Sequence, residues 1–243
     1  MNNFIQFFGI KKRFGSKEVL KGVDLSVEEG KTLVILGGSG SGKSVLLKTT
    51  IGLIKPNEGR IIVEGDDVSD YSEKEWFKVR KKISYMFQWG ALFDSMTVFD
   101  NVAFPLREMK FSEKEVEEKV LEKLAILGLS DAQNLFPQDL SGGMKKRVAL
   151  ARSIISEPKC ILYDEPTAGL DPITSNQINK LIRKMQEMLN ITSVVVTHDI
   201  KSTFYVADKV AFLYDGKISF YGTLEESQKS GNDVLRAFIS GGE

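Results

Sequence analysis

Short apolar runs, each stopped by glycine, proline or an acid, alternate along the chain with stretches of helical periodicity, a pattern that predicts strands interleaved with helices. Residues 32–36, 83–87, 159–165 and 193–197 are compact and β-branched or apolar throughout, as expected of strands buried on both faces. Residues 3–27 carry shorter runs broken by Gly9, Gly15 and Gly22, which predicts small antiparallel strands. Residues 59–65 read as a strand and turn, and 210–221, with Asp215-Gly216 at its middle, as a hairpin. Capping-box spacing at Ser72-Glu73-Lys74-Glu75 predicts a helix through Lys82. The same spacing at Ser112-Glu113-Lys114-Glu115 opens another, with Val116, Val120, Leu124 and Leu127 on one face. From Ile173 to Leu189 a helix is expected to bury Ile178, Leu181, Ile182, Met185 and Leu189, and one or two short helices close the chain by Glu243. Residues 89–106 are rich in large apolar side chains without a clean period. Most of these are expected in the core of a small helical insert, and some on a docking surface for a membrane partner.

Composition narrows the classes. The 243 residues, 42% of them hydrophobic, suffice for an ordinary packed core in one large domain or two small ones. Lys+Arg and Asp+Glu balance at 33 each, which argues against a nucleic-acid partner. The single cysteine, Cys160, excludes an internal disulfide framework, fits a reducing cytosol and sits in an apolar run as a small buried hydrophobe. No apolar stretch approaches the ~18 residues of a membrane span and no signal peptide is evident, so any membrane role is expected to come through a partner.

The chemistry begins at Gly37-Gly38-Ser39-Gly40-Ser41-Gly42-Lys43-Ser44, which fits G-x-x-x-x-G-K-[ST] between a predicted strand and a helix opening at Ser44-Val45. In that setting N–H groups of the glycine loop and of the helix start, Val45 included, converge on phosphate oxygens, and the helix dipole favours their charge. Lys43 reaches the β- and γ-phosphates, and the Ser44 hydroxyl ligates Mg²⁺. A second anion cradle is expected at Ser141-Gly142-Gly143, ahead of a helix over 145–155. One nucleotide needs one cradle, so the second calls for an explanation. The strand at 159–165 ends in Asp164-Glu165: Asp164 suits the Mg²⁺ shell and Glu165 the attacking water. Gln88 and the only histidine, His198, also stand at strand ends, where open parallel sheets bind ligands. Phe14 is, by residue type, as readily a sheet core residue as an aromatic face for a purine.

The loop at 37–44, Gln88, Leu140-Ser141-Gly142-Gly143, Asp164-Glu165, Leu170-Asp171 and His198 occur in the order found in the ATP-binding subunits of ABC transporters, and the chain resembles that family over nearly its whole length. The resemblance implies an α/β fold of the P-loop NTPase type, with a mainly parallel core sheet, an N-terminal antiparallel β-subdomain and an α-helical subdomain inserted at about 90–158, within one domain spanning 1–243. It implies ATPase activity with ATP and Mg²⁺, and a head-to-tail homodimer in which Ser141, Gly142 and Gly143 serve the second copy's nucleotide. By the same resemblance Phe14 stacks on adenine, Gln88 senses Mg²⁺ and lytic water, Glu165 polarises that water, His198 contacts the γ-phosphate and Asp171 links the two sites. Met144 stands where glutamine is common in the signature, and Ala168-Gly169-Leu170 where Ser-Ala-Leu is common; neither replaces a phosphate ligand. Residues 88–93, 98–108, 142–144 and 171–174 are similar to the ATPases of the Mla phospholipid transporters, which implies an MlaE-like permease, an MCE-domain lipid carrier and a seat on the cytoplasmic face of the inner membrane. An amino-acid or other small-molecule importer subunit is the nearer alternative, and a soluble ABC ATPase the more distant one.

Overall fold

The computed structural model describes residues 2–241; the expected span of 1–243 also takes in Met1, Gly242 and Glu243, which lie outside the described residues. The chain opens with β1 (Asn3–Phe14) and β2 (Lys17–Glu28), then β3 (Thr32–Leu36), α1 (Lys43–Thr49), β4 (Glu58–Val63), β5 (Asp66–Asp67), α2 (Glu73–Arg80) and β6 (Ile83–Met86). Three helices follow, α3 (Val98–Glu108), α4 (Glu113–Ile126) and α5 (Gly142–Ile154), before β7 (Cys160–Asp164) returns to the sheet. The remainder is α6 (Pro172–Leu189), β8 (Thr192–Thr197), α7 (Ile200–Val206), the β9 (Lys209–Tyr214) and β10 (Lys217–Thr223) hairpin, α8 (Leu224–Gln228) and α9 (Asp233–Ile239).

These elements form an α/β fold around a six-stranded sheet of order β10-β9-β3-β8-β7-β6, in which every pair but the β9–β10 hairpin is parallel. A four-stranded antiparallel sheet, β2-β1-β4-β5, lies beside it. Strands β3, β7 and β8 are buried at every residue, the physical reason their sequences are continuous apolar runs and not alternating ones. Val34, Leu36, Ile161 and Tyr163 pack on the side of the helical layer, whereas Leu33, Ile35, Cys160 and Leu162 pack on the side of the antiparallel sheet. The helical layer buries Val98, Val102, Ala103 and Leu106 of α3 against Val116, Val120 and Leu124 of α4 and Val148 and Leu150 of α5.

Two expectations are corrected. Of the N-terminal glycines only Gly15 divides strands, at the turn between antiparallel β1 and β2; these are twelve residues each, and slips in their register put Gly9 and Gly22, at φ 60° and 96°, at bulges. A glycine in the left-handed region absorbs the extra residue and bends the strand without ending it. On α6, Ile178, Ile182 and Met185 are buried and Leu181 is partly so, but Leu189 is exposed in the last turn, just before the left-handed cap Asn190. Gln186 is buried in its stead, because its amide donates to the Gly30 carbonyl at 2.7 Å.

Candidate functional site

Strand β3 runs straight into the glycine loop and α1. At Gly37 a side chain has no room: a Cβ there would stand 2.5 Å from the Leu213 carbonyl oxygen on β9. Gly42 caps α1 at φ 105° and sits against Val19 and Leu20 of β2. The loop thus wraps tightly around Lys43, whose Nζ donates to the carbonyls of Gly37 at 2.8 Å and Gly38 at 3.1 Å, with Glu165 Oε1 3.5 Å away. Burial pushes the Lys43 pKa down, against the pull of the Glu165 carboxylate. The Ser41 hydroxyl is buried in the loop without a hydrogen-bond partner, as suits a donor kept for a phosphate oxygen.

Ser44 Oγ donates to Asp164 Oδ1 at 2.6 Å, and the Tyr85 hydroxyl donates to Asp164 Oδ2 at 2.8 Å. Burial, with the Asp164 charge beside it, pushes the Tyr85 phenol well above its ordinary pKa and keeps it a donor. Among the described residues no cluster of three or more His, Cys, Asp or Glu side chains is placed to hold a metal ion unaided. One hydroxyl and one carboxylate fit Mg²⁺, which takes few protein oxygens and completes its octahedron with phosphate and water.

Glu165, buried and left-handed at φ 47°, is pinned through its main chain: its N–H donates to the Val196 carbonyl at 2.9 Å, and its carbonyl accepts from Ala168 N at 3.1 Å. Thr197 Oγ1 donates to Glu165 Oε2 at 3.2 Å, and His198 Nδ1 lies 3.0 Å from the same oxygen. Lys43, Ser44, Asp164, Glu165 and His198 therefore meet off the carboxyl ends of β3, β7 and β8. Gln88 follows β6 and lines a cavity of about 510 Å³ with Asp164 and Lys48.

The other expected residues lie elsewhere. Phe14 ends β1 with its ring 49% exposed and Lys12 Nζ 5.0 Å from the ring centre, so it is not a core residue. Ser141 Oγ caps α5 by accepting from Met144 N at 3.3 Å, and Gly142 and Gly143 pack near Leu170 and Thr174. Among the described residues no hydrogen bond joins residues 141–143 to the phosphate loop. The Asp171 carboxylate caps its own helix, with Oδ1 accepting from Ile173 N and Thr174 N and Oδ2 from the Thr174 hydroxyl, and these bonds hold its pKa low.

Four contributors escape a reading of the sequence. Tyr85 and Thr197 are strand residues whose partner carboxylates lie far along the chain. Lys146 is buried on α5, with Nζ donating to the carbonyls of Gln88 and Glu165, and its desolvation pushes its pKa down to about 8. Asn101, fully buried, shapes the loop at 93–97 by donating to the carbonyls of Phe93, Met96 and Thr97 and accepting from Phe93 N. The one available signal for Lys146 is its place on the apolar face of α5, three residues before Ala149.

The family model described as ABC transporter matches residues 20–168. The chain is 41% identical over 238 residues to the probable ribonucleotide transport ATP-binding protein mkl of Mycobacterium tuberculosis, covering 98% of this chain and 66% of that protein, so it spans less than two thirds of that relative's length. It is 39% identical over 240 residues to the intermembrane phospholipid transport system ATP-binding protein MlaF of Haemophilus influenzae, covering 98% and 91%. A dimeric ATP-binding cassette solved in a post-hydrolysis state with ADP and Pi superposes with a TM-score of 0.83 at 34% identity, covering 90% of this chain and 98% of that one. With matches of this extent and a phosphate loop, acidic strand end and strand-end histidine gathered at one site, the chain belongs to the ABC transporter family as one of its ATP-binding cassettes.

Proposed function

We propose that this chain hydrolyses ATP to drive a separate membrane permease that moves lipid. The observation that carries the reading is the meeting of two consecutive pairs at neighbouring strand ends, Lys43 Nζ 3.5 Å from Glu165 Oε1 and Ser44 Oγ 2.6 Å from Asp164 Oδ1. Lys43 gives its ammonium to the β- and γ-phosphates, Ser41 its free hydroxyl to the same oxyanions, and the exposed Phe14 ring its face to adenine. Ser44, Asp164 and Gln88 would hold Mg²⁺, which would neutralise charge on the phosphates. Glu165 orients the attacking water and takes up its proton. Thr197 and His198 fix that carboxylate; because a carboxylate only accepts, Nδ1 carries the proton of that hydrogen bond, and the other edge of the ring is left for the γ-phosphate.

A second copy, placed head to tail, brings its own residues 141–143 to this nucleotide, and its Asp171 stands at the junction. That the solved relative is a dimer supports a pairing of two copies. Among the described residues no helix is long and apolar enough to cross a membrane. A surface around Trp89, 74% exposed, and Phe93, 40% exposed, is therefore assigned to the permease, and the likeness to MlaF supports an MlaE-like one, with an MCE-domain lipid carrier, at the cytoplasmic face of the inner membrane. The likeness to the mycobacterial protein favours a second reading, in which the cargo is a ribonucleotide.

Single cysteines at Asp94 or Ser95, in a Cys160→Ser background, are expected to cross-link to a cytoplasmic helix of the permease that copurifies with the chain. Cross-linking to an MlaE-like protein, with ATPase activity raised by permease and carrier together, is the expected result. A permease of a nucleotide or amino-acid importer at that position would overturn the lipid assignment and leave the roles of Lys43, Asp164 and Glu165 standing.

A further inference from the structure

Lys146 is a cation held where the fold leaves almost no water, 4% exposed on the second turn of α5. A buried ammonium normally ends on a carboxylate. Among the described residues this one forms no salt bridge, and its hydrogen bonds go to two main-chain carbonyls, those of Gln88 and Glu165. Those carbonyls stand just beyond the ends of β6 and β7, neighbouring parallel strands, so the side chain spans the gap at the point where both strands deliver site residues.

Glu165 has a particular need of such a partner. An L-residue in the left-handed region is sterically disfavoured and persists where its surroundings over-determine it. Val196 and Ala168 supply main-chain bonds to its N–H and carbonyl, and Lys146 supplies the side-chain bond to that same carbonyl. The side chain has a second attachment through its own helix, because α5 begins at residues 141–143, the turn assigned above to the nucleotide of the second copy.

We propose that Lys146 is a positioning residue for hydrolysis: it fixes the spacing between the backbones of Gln88 and Glu165 and carries displacement of the 141–143 turn to both. This rests on the ATPase reading of the site. The side chain touches neither phosphate nor metal in this account, so its loss acts on turnover and leaves nucleotide affinity alone.

The test compares Lys146→Met, which keeps length and loses every donor, with Lys146→Gln, which keeps an N–H₂ group, in the full chain. Steady-state phosphate release, titration with a fluorescent ATP analogue and thermal unfolding are measured together. Misplacement of a catalytic group by about 1 Å costs on the order of 10²-fold. Lys146→Met is accordingly expected to lose roughly tenfold or more in kcat, with KM and nucleotide Kd within about twofold of wild type, and Lys146→Gln to recover a large part of the loss. A wild-type kcat in Lys146→Met would overturn the proposal, as would a loss appearing in KM, or an equal loss in both variants that follows their melting temperatures. Should Lys146→Met fail to fold, Lys146→Gln decides alone: kcat below wild type at unchanged Kd supports the role, and wild-type kcat overturns it. Lys43→Ala runs in parallel. If it hydrolyses ATP as the wild type does, the ATPase reading itself has failed and the role of Lys146 falls with it; if it is inactive while Lys146→Met is fully active, only the positioning role has failed.

Discussion

Replacing Glu165 by glutamine separates two duties of one carboxylate, and the structure sets a magnitude for each. In the proposed role of orienting water and accepting its proton, the carboxylate is not readily replaced: the carbonyl-bound Lys43 and the Thr197 hydroxyl are donors, and both oxygens of Asp164 already accept, from Ser44 and Tyr85. Losing such a base lowers turnover by on the order of 10²-fold or more, about 2.7 kcal/mol in the barrier. As counter-charge, Glu165 stands 3.5 Å from Lys43 Nζ. At an effective dielectric of about 20 that separation corresponds to roughly 5 kcal/mol of gross attraction. The ammonium keeps the Gly37 and Gly38 carbonyls, and the pair no longer bears its desolvation, so the net loss is nearer the ~2 kcal/mol of one charge-assisted hydrogen bond. For a chain of this size that is a fall of roughly 4–8 °C in melting temperature. Phosphate bound at the loop supplies the missing counter-charge, so the non-hydrolysable ATP analogue should raise the melting temperature of Glu165→Gln by more than it raises that of the wild type. Phosphate release at saturating Mg-ATP and scanning fluorimetry with and without the analogue measure both effects. Turnover within twofold of wild type would refute the catalytic assignment, and an unchanged melting temperature without nucleotide would refute the account of Lys43.

Two further outcomes follow from the same geometry. In the Glu165→Gln background ATP should drive a monomer to a dimer by light scattering, and adding Ser141→Arg should abolish that dimer while nucleotide binding persists; a dimer indifferent to the arginine would sink the shared-site arrangement. Cys160 is fully buried and burial pushes its thiol pKa well up, so alkylation by iodoacetamide at pH 8 should be slow in the native protein and accelerate in step with urea unfolding, an expectation that labelling at the rate of free cysteine would refute.

The parts of the site that were legible in the sequence are those fixed within one short segment. The phosphate loop needs glycine at 37 and 42 because of contacts made a few residues either side of a strand end, and Asp164, Glu165 and His198 each finish an apolar run that announces a buried strand. What was not legible depends on partners remote along the chain. Tyr85 meets Asp164 across 79 residues and Lys146 meets the Gln88 carbonyl across 58, and neither pairing leaves a local mark. The long N-terminal strands were misjudged because a glycine reads as a break, whereas a bulge uses it to continue. Leu189 was misjudged because periodicity assigns a face, and the sheet side of α6 was taken there by Gln186 for a hydrogen bond. Phe14 could not be settled by residue type, only by its exposure.

The alternation of the two cores through the central strands has a mechanical meaning. Because β3 sends Val34 and Leu36 to one layer and Leu33 and Ile35 to the other, the sheet acts as a bulkhead: a packing defect among α3, α4 and α5 meets main chain before it meets the antiparallel sheet. Large-to-small changes on opposite sides of such a partition share no contacting partners and should sum to within about 0.5 kcal/mol. A cassette partitioned in this way can alter the helical layer, the side on which the proposed permease surface lies, while the compartment that seats β1, β2 and the underside of the phosphate loop keeps its shape, and Lys146 reaches from that layer to the strand ends.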